Sequence, residues 1–228
     1  DHVGRLLDYL EESGRINDTM IIMSSDHGDN LGDHWLGEKD LFYDCSARIP
    51  LIIYDPSHAA DIARGTMRDD LIEAIDLVPT FLDAAGGKAQ PHRLEGRSLM
   101  PLLHGNPEIA WRDYTISEID FSDRDAMNLL DLPPELCRVF MLRNERWKYI
   151  LHEAFRPQLY DLENDPDEFN DLGEDRAYQA IRSELHEKLF TWLRRRKLRV
   201  TVPVPLEGMP SRSVAEQDAE LGILIGYW

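Results

Sequence analysis

Residues 24–39 read SSDHGDNLGDHWLGEK, and no other stretch of the chain says as much about its fold and chemistry. Ahead of it runs Met20-Ile21-Ile22-Met23, an apolar tetrad that reads as part of a buried strand over Thr19–Ser25. Asp26 and His27 arrive side by side at the carboxyl end of that strand, and Lys39 closes the same loop after Gly28 and Gly32. A carboxylate, an imidazole and an ammonium gathered there suit a divalent metal and an anion. Neighbouring side chains on a regular strand face opposite ways. Asp26 and His27 therefore converge on one ion only if the chain turns, and Gly28 permits a turn. The same residues also have an ordinary reading, with Asp26 capping a turn, His27 packed in a loop and Lys39 solvated.

Outward from this loop the first 110 residues alternate helix and apolar strand. Residues 1–13 read as a helix from the spacing of Val3, Leu6, Leu7 and Leu10, with Gly14 as its stop. Pro50–Tyr54 reads as a second strand. Asp76 suits the N-cap of a helix that runs to Ala85, with Pro79 in its first turn, and Ser98–Leu103 reads as a short helix. This alternation predicts an α/β layer with parallel strands. Beyond it the pattern changes. Tyr114–Ile119, Arg138–Leu142, Trp147–Leu151 and Gln158–Leu162 read as four short strands, the middle two joined by the turn Arg143-Asn144-Glu145-Arg146. A helix over Arg176–Lys197 carries Ile181, Leu185, Leu189, Trp192 and Leu193 on one face. The expected organisation is thus an α/β part over 1–110, an α+β subdomain of antiparallel sheet plus one long helix over 111–199, and a proline-rich extended arm over 200–228. The chain opens inside what reads as a helix, so it reads as a fragment or a product of N-terminal trimming.

Charge and cysteine content narrow the classes. The net charge of −18 argues against nucleic acid as a partner and demands a strong local positive site for any anionic substrate. No apolar run approaches the roughly 18 residues that span a bilayer, so no membrane partner is expected. Two cysteines, Cys45 and Cys137, are too few for a disulfide framework. A reduced cytoplasmic protein is the favoured reading, or a periplasmic one if a signal peptide was lost with an N-terminal half.

Asp26-His27-Gly28 with Lys39 thirteen residues after Asp26 resembles the sulfatase branch of the alkaline phosphatase superfamily. The resemblance continues in Arg48-Ile49-Pro50-Leu51-Ile52, in Ile75-Asp76-Leu77-Val78-Pro79-Thr80, and in Leu159-Tyr160-Asp161-Leu162 followed by Asp165-Pro166. These landmarks stand in the order of the C-terminal half of such enzymes, and they look closest to phosphonate monoester hydrolases and arylsulfatases. The resemblance implies an alkaline-phosphatase-like α/β core, C-terminal part, with the α+β subdomain attached. It implies a metal-dependent hydrolase of sulfate or phosphonate/phosphate esters. Asp26 and His27 would be two ligands of one divalent ion, with Mn²⁺, Ca²⁺, Zn²⁺ and Mg²⁺ not distinguished. Lys39 would act on the substrate's anionic group, binding a non-bridging oxygen. The family nucleophile is a formylglycine made in a Cys-x-Pro-x-Arg motif, which this chain does not contain. The substrate would be a small anionic ester.

Other residues are more ambiguous. His34 could reach the substrate or sit behind the site as a structural histidine, and Arg48 reads as an anchor of the loop through salt bridges. Cys45-Ser46-Ala47-Arg48 mimics the formylglycine motif, but its Arg comes one residue early and the Pro is absent. Asp161 to Asp167 alternate like a calcium loop, yet Pro166 replaces the required Gly and Leu172 the final Glu. Arg194-Arg195-Arg196-Lys197 complements the negative end of a helix. Two rivals remain: a two-metal phosphatase or phosphomutase of the same superfamily, and a non-catalytic oligomerisation module derived from it. The apolar end of the arm predicts a homo-oligomer.

Overall fold

A computed structural model describes residues 1–89, 94–106 and 108–196, and every structural statement concerns these. The 200–228 arm with its expected oligomer contact, Lys197 and His92 lie outside the described residues.

Helix α1 (His2–Glu12) forms where expected and ends at Gly14, whose φ of 71° lets its N–H reach the Glu11 carbonyl at 3.0 Å. Strand β1 (Ile21–Ser24) follows, then a long loop, the one-turn helix α2 (Asp44–Ala47) and strand β2 (Leu51–Tyr54). The two strands pair, but antiparallel, with Ile21 opposite Tyr54 and Ser24 opposite Leu51. The alternation of elements misled here for a physical reason. A parallel partner needs a connection that crosses back to the start of β1, usually on a helix. The intervening residues instead fold as a loop with one helical turn and re-enter from the end where β1 stops. Nor are the strands buried throughout: the register partners Met23 and Ile52 stay 41% and 59% exposed on one face.

Helices α3 (Leu77–Ala84) and α4 (Met100–Leu103) complete this part. Asp76 does not cap α3 with its side chain. Its buried carboxylate accepts the Glu73 N–H at 2.8 Å and the Arg97 N–H at 2.7 Å, and it pairs with the guanidinium of Arg112. Arg112 follows the element it ties down by 36 residues, a contact that local sequence rules cannot see.

The second part is a four-stranded antiparallel meander. Strand β3 (Thr115–Asp120) is followed by the short helix α5 (Asp125–Leu130), which the sequence pattern did not disclose, and then by β4 (Arg138–Arg143), β5 (Trp147–His152) and β6 (Gln158–Asp161). Helix α6 (Gln179–Arg195) packs on one face. Alternation sorts the side chains: Phe140, Leu142, Tyr149 and Leu159 meet Leu185 and Leu189 of α6. Leu142, Leu159, Leu185 and Leu189 are at most 1% exposed. Burial of each stabilises by about 1.5–3 kcal/mol. The opposite face is covered as well, which the single long helix did not predict. Val139, Met141, Ile150 and Tyr160 close over Phe42, a residue of the long loop after β1. That loop is therefore clamped between the two parts. Cys45 and Cys137 are both free thiols. No helix among the described residues is long and apolar enough to cross a membrane.

The β4–β5 turn is held to the end of β6 by Arg146, whose Nε and Nη2 donate to Asp161 at 3.0 and 2.7 Å. Hydrogen bonding from Arg146 holds the Asp161 carboxyl below the usual carboxylate range. A depressed carboxyl contributes stability above its unfolded pKa of about 3.9, and that contribution is lost as pH falls through the native value. In urea titrations, Arg146→Gln should thus destabilise the protein at pH 7 and show a shallower loss between about pH 4 and pH 2 than the parent. Parallel pH profiles for the two proteins would refute this assignment.

Candidate metal and anion site

At the end of β1 the chain leaves strand geometry, and Asp26 and His27 turn toward each other. Asp26 Oδ2 lies 3.4 Å from His27 Nε2. The Ser25 hydroxyl bonds the His27 carbonyl at 2.6 Å, and the His27 N–H bonds Asp26 Oδ1 at 3.0 Å. His27 Nδ1 sits 2.6 Å from the Gly28 carbonyl. A carbonyl only accepts, so Nδ1 carries a proton, and Nε2 is the ring nitrogen left on the side of Asp26. A backbone acceptor on one ring nitrogen with the other left bare is how proteins orient metal-binding histidines. Hydrogen bonds from the backbone N–H groups of Asp26 and His27 hold the Asp26 carboxyl below its ordinary range. These two side chains fit a divalent cation, and they supply half or less of its usual ligands. Among the described residues there is no group of three or more His, Cys, Asp or Glu placed to hold a metal.

Gly28 matters here for a reason other than turning. Its N–H donates to the Ser46 carbonyl at 2.7 Å, and the next N–H, of Asp29, donates to the Cys45 carbonyl at 3.1 Å. A Cβ on Gly28 would lie 2.0 Å from the Cys45 oxygen. The glycine is needed for backbone contact between the loop and α2.

The far limb of the loop carries Lys39. Its backbone is fixed, because the Ser46 hydroxyl donates to the Lys39 carbonyl at 2.5 Å. Its ammonium is exposed and, among the described residues, has no hydrogen bond or ion pair. Between the limbs the chain makes a tight excursion in which Leu31, His34, Trp35 and Glu38 adopt positive φ, and Leu41 does so just beyond Lys39. Each such residue costs of order 1–3 kcal/mol and persists only where its surroundings dictate it. Asn30 dictates much of this. It is wholly buried; its N–H bonds the Glu38 carbonyl at 2.7 Å, and its side-chain oxygen accepts the Cys45 thiol at 3.0 Å. Burial pushes the Cys45 thiol up in pKa. It is therefore a structural hydrogen-bond donor, and the decoy motif around it has no nucleophile character.

The sequence-predicted residues distribute unevenly. Asp26 and His27 come together, and Lys39 projects from the same loop. The His34 ring stacks on Tyr43 with centroids 3.7 Å apart and leans on Phe169 at 4.9 Å, so its contacts are aromatic rings that pin the excursion to the second part. Arg48 is not a salt-bridge anchor. It is exposed, has no partner among the described residues and lines a groove of about 1220 Å³ together with Asp26. Asn30 and Ser46 escaped the sequence reading. The only signal for them was their place inside the landmark region, since a polar side chain carries no local mark of being buried.

Comparison with known proteins fits this geometry. The family model described as N-sulphoglucosamine sulphohydrolase, C-terminal, matches residues 32–195, so Asp26 and His27 lie just ahead of the matched range. The multifunctional alkaline phosphatase superfamily protein PehA of Trinickia caryophylli is 37% identical over 198 residues, covering 84% of this chain and 37% of its own length. An arylsulfatase of Clostridium perfringens is 34% identical over 196 residues, covering 86% of this chain and 36% of its own. The crystal structure of the phosphonate monoester hydrolase of Agrobacterium radiobacter superposes with a TM-score of 0.79 at 34% identity, over 92% of this chain and 42% of that one. The chain thus spans well under half the length of the relatives it matches.

The Gly28 contact makes a direct test. Gly28→Ala should cost about 1–3 kcal/mol of stability, the range of an overpacked core site. It should also broaden or shift the His27 ring resonances in NMR spectra while those of α6 residues stay in place. An alanine variant as stable as the parent, with unshifted His27 signals, would show that the close approach does not constrain the site.

Proposed function

The chain belongs to the sulfatase family of the alkaline phosphatase superfamily, and on that premise we propose that it builds one wall of the active site of a metal-dependent hydrolase of sulfate or phosphonate/phosphate esters. The observation that carries the reading is the loop after β1, where Asp26 and His27 converge while an unpartnered Lys39 ammonium projects from the same loop. Asp26 and His27 would hold one divalent cation. When bound, such an ion supplies Lewis acidity and a template for the ester's oxygens.

The chain's own residues have defined parts in this reading. Lys39 binds a non-bridging oxygen of the substrate. Its ammonium makes no ion pair among the described residues, so taking up an anion breaks none of their contacts. Lys39 and Arg48 concentrate positive charge where a protein of net charge −18 otherwise repels anions. Ser46 and Asn30 keep the Lys39 backbone in register with the Asp26–His27 pair. The remaining metal ligands and a formylglycine nucleophile are assigned to sequence outside these 228 residues. Support for that assignment comes from the exposed apolar side chains of Val3, Leu6, Tyr9, Met23, Ile52 and Phe81, which suit coverage by further protein.

Three measurements test the reading. Full-length protein should hydrolyse an aryl sulfate or a phosphonate monoester with one metal ion per chain, and the 228 residues alone should not. Lys39→Ala should slow the full-length enzyme by roughly 10²–10³, the loss typical of one preorganised charge-stabilising group. His27→Ala should lower metal content. Full-length protein that hydrolyses neither ester when metal-loaded, or a Lys39→Ala variant at the parental rate, would overturn the proposal.

A further inference from the structure

Lys148 is the second residue of β5, on the sheet face turned away from α6, and its side chain is 0% exposed. Its ammonium meets three oxygens: the Phe42 carbonyl at 2.7 Å, Asp44 Oδ1 at 2.5 Å and Glu168 Oε1 at 2.6 Å. The second Glu168 oxygen accepts the Asp44 N–H at 2.6 Å, and Arg143 approaches Asp44 at 3.5 Å. Glu168 itself holds a positive φ of 58°. Burial raises the Glu168 carboxyl, and the Lys148 charge opposes that shift. Taking one ammonium and two carboxylates out of water costs several kcal/mol per ion, and a well-packed apolar group is often as stabilising as a buried ion pair. Net stability is thus a weak account of the cluster, whereas fixed geometry is a better one.

What the cluster fixes can be followed bond by bond. Asp44 is the first residue of α2, and Phe42 is the residue that seats the loop on the sheet. On its other side α2 makes the contacts that hold both limbs of the site. The Ser46 and Cys45 carbonyls take the Gly28 and Asp29 N–H groups, next to His27, and the Ser46 hydroxyl takes the Lys39 carbonyl. From Lys148 to either limb there are only α2 and one hydrogen bond. We propose that Lys148, with Glu168, is a positioning residue that sets the Asp26–His27 pair and Lys39 in place through α2. Its importance for activity rests on the metal-and-anion reading of the loop, but the mechanical coupling does not.

The test separates the two. In the 228-residue chain, amide hydrogen exchange of Lys148→Met, or of Glu168→Gln should the first variant not fold, is compared with Leu189→Val, which loosens the α6 face. The Lys148 variant should speed exchange at Gly28 and Asp29 at least about tenfold beyond any change at Leu142 and Tyr149, while Leu189→Val should not single out those two amides. Mn²⁺, followed by paramagnetic broadening of the His27 ring, should bind the Lys148 variant about ten- to a hundredfold more weakly, as expected when the support behind a metal ligand is removed. Unselective exchange in a folded Lys148 or Glu168 variant overturns the proposal. Selective exchange upholds the coupling on its own, and a His27 ring that Mn²⁺ leaves unbroadened in the full-length parent removes the metal reading instead.

Discussion

The site rests on a contact in which backbone meets backbone. Gly28 and Asp29 donate to carbonyls of α2, and the approach is so close that a single methyl at Gly28 would collide with the Cys45 oxygen. Everything functional in the loop follows from this seam. It turns the chain out of β1, so that Asp26 and His27 stop alternating and converge. It brings Ser46 under Lys39. It forces the residues between the two limbs into a short excursion where four non-glycine residues take positive φ. Strain of that kind survives only in a surrounding that admits no alternative, and Asn30, wholly buried and bonded to Glu38 and Cys45, provides it.

The small sheet has a second role beside its own core. Its α6 face is a conventional hydrophobic layer, but its other face is closed by Phe42 and Tyr43 from the loop. Tyr43 in turn stacks on His34, and Phe169 touches the same ring from the far side. The loop that carries the metal pair is thereby anchored twice in the second part, once by packed rings and once by a buried ion cluster. The division between an α/β part and an α+β part is a division of pattern in the sequence. Mechanically the second part is the base on which the site of the first part stands.

Legibility of the fold tracked how local each determinant is. Helix α1 with its glycine stop, the β4–β5 hairpin and the inward face of α6 follow periodicity and turn chemistry, and all three stand where the sequence put them. Pairing direction of β1 and β2 was misread because alternation of elements says nothing about which way a connection runs. Asp76 stands at the N-cap position that the sequence indicates, but its side chain serves Arg97 and Arg112 instead of the helix, because capping propensity describes neighbours in sequence and these two reach it from elsewhere in space. The site divides in the same way. That Asp26 and His27 come together on the loop that also carries Lys39 is legible because all three sit in one short stretch. Asn30, Ser46, Lys148 and Glu168 are not, since their meaning lies in burial and in partners up to 124 residues away.

Charge placement closes the argument. A chain with 43 acidic and 25 basic residues has little cause to leave a cation unpaired. Many of the described arginines meet carboxylates, as Arg112 does with Asp76, Arg124 with Asp40, Arg146 with Asp161 and Arg196 with Glu118. Lys148, deep in the sheet, meets two. Lys39 and Arg48 are among the exposed cations that lack such a partner among the described residues, and they differ from the others by position, one on the loop of Asp26 and His27 and the other beside Asp26 in the groove. Unpaired cations in an acidic protein raise the local potential for an incoming anion, and low surrounding positive charge makes that local field selective for it. Among the described residues the buried charges are thus neutralised inside the protein, whereas Lys39 and Arg48 keep their charge on the surface around Asp26 and His27, where the proposed function puts it to use.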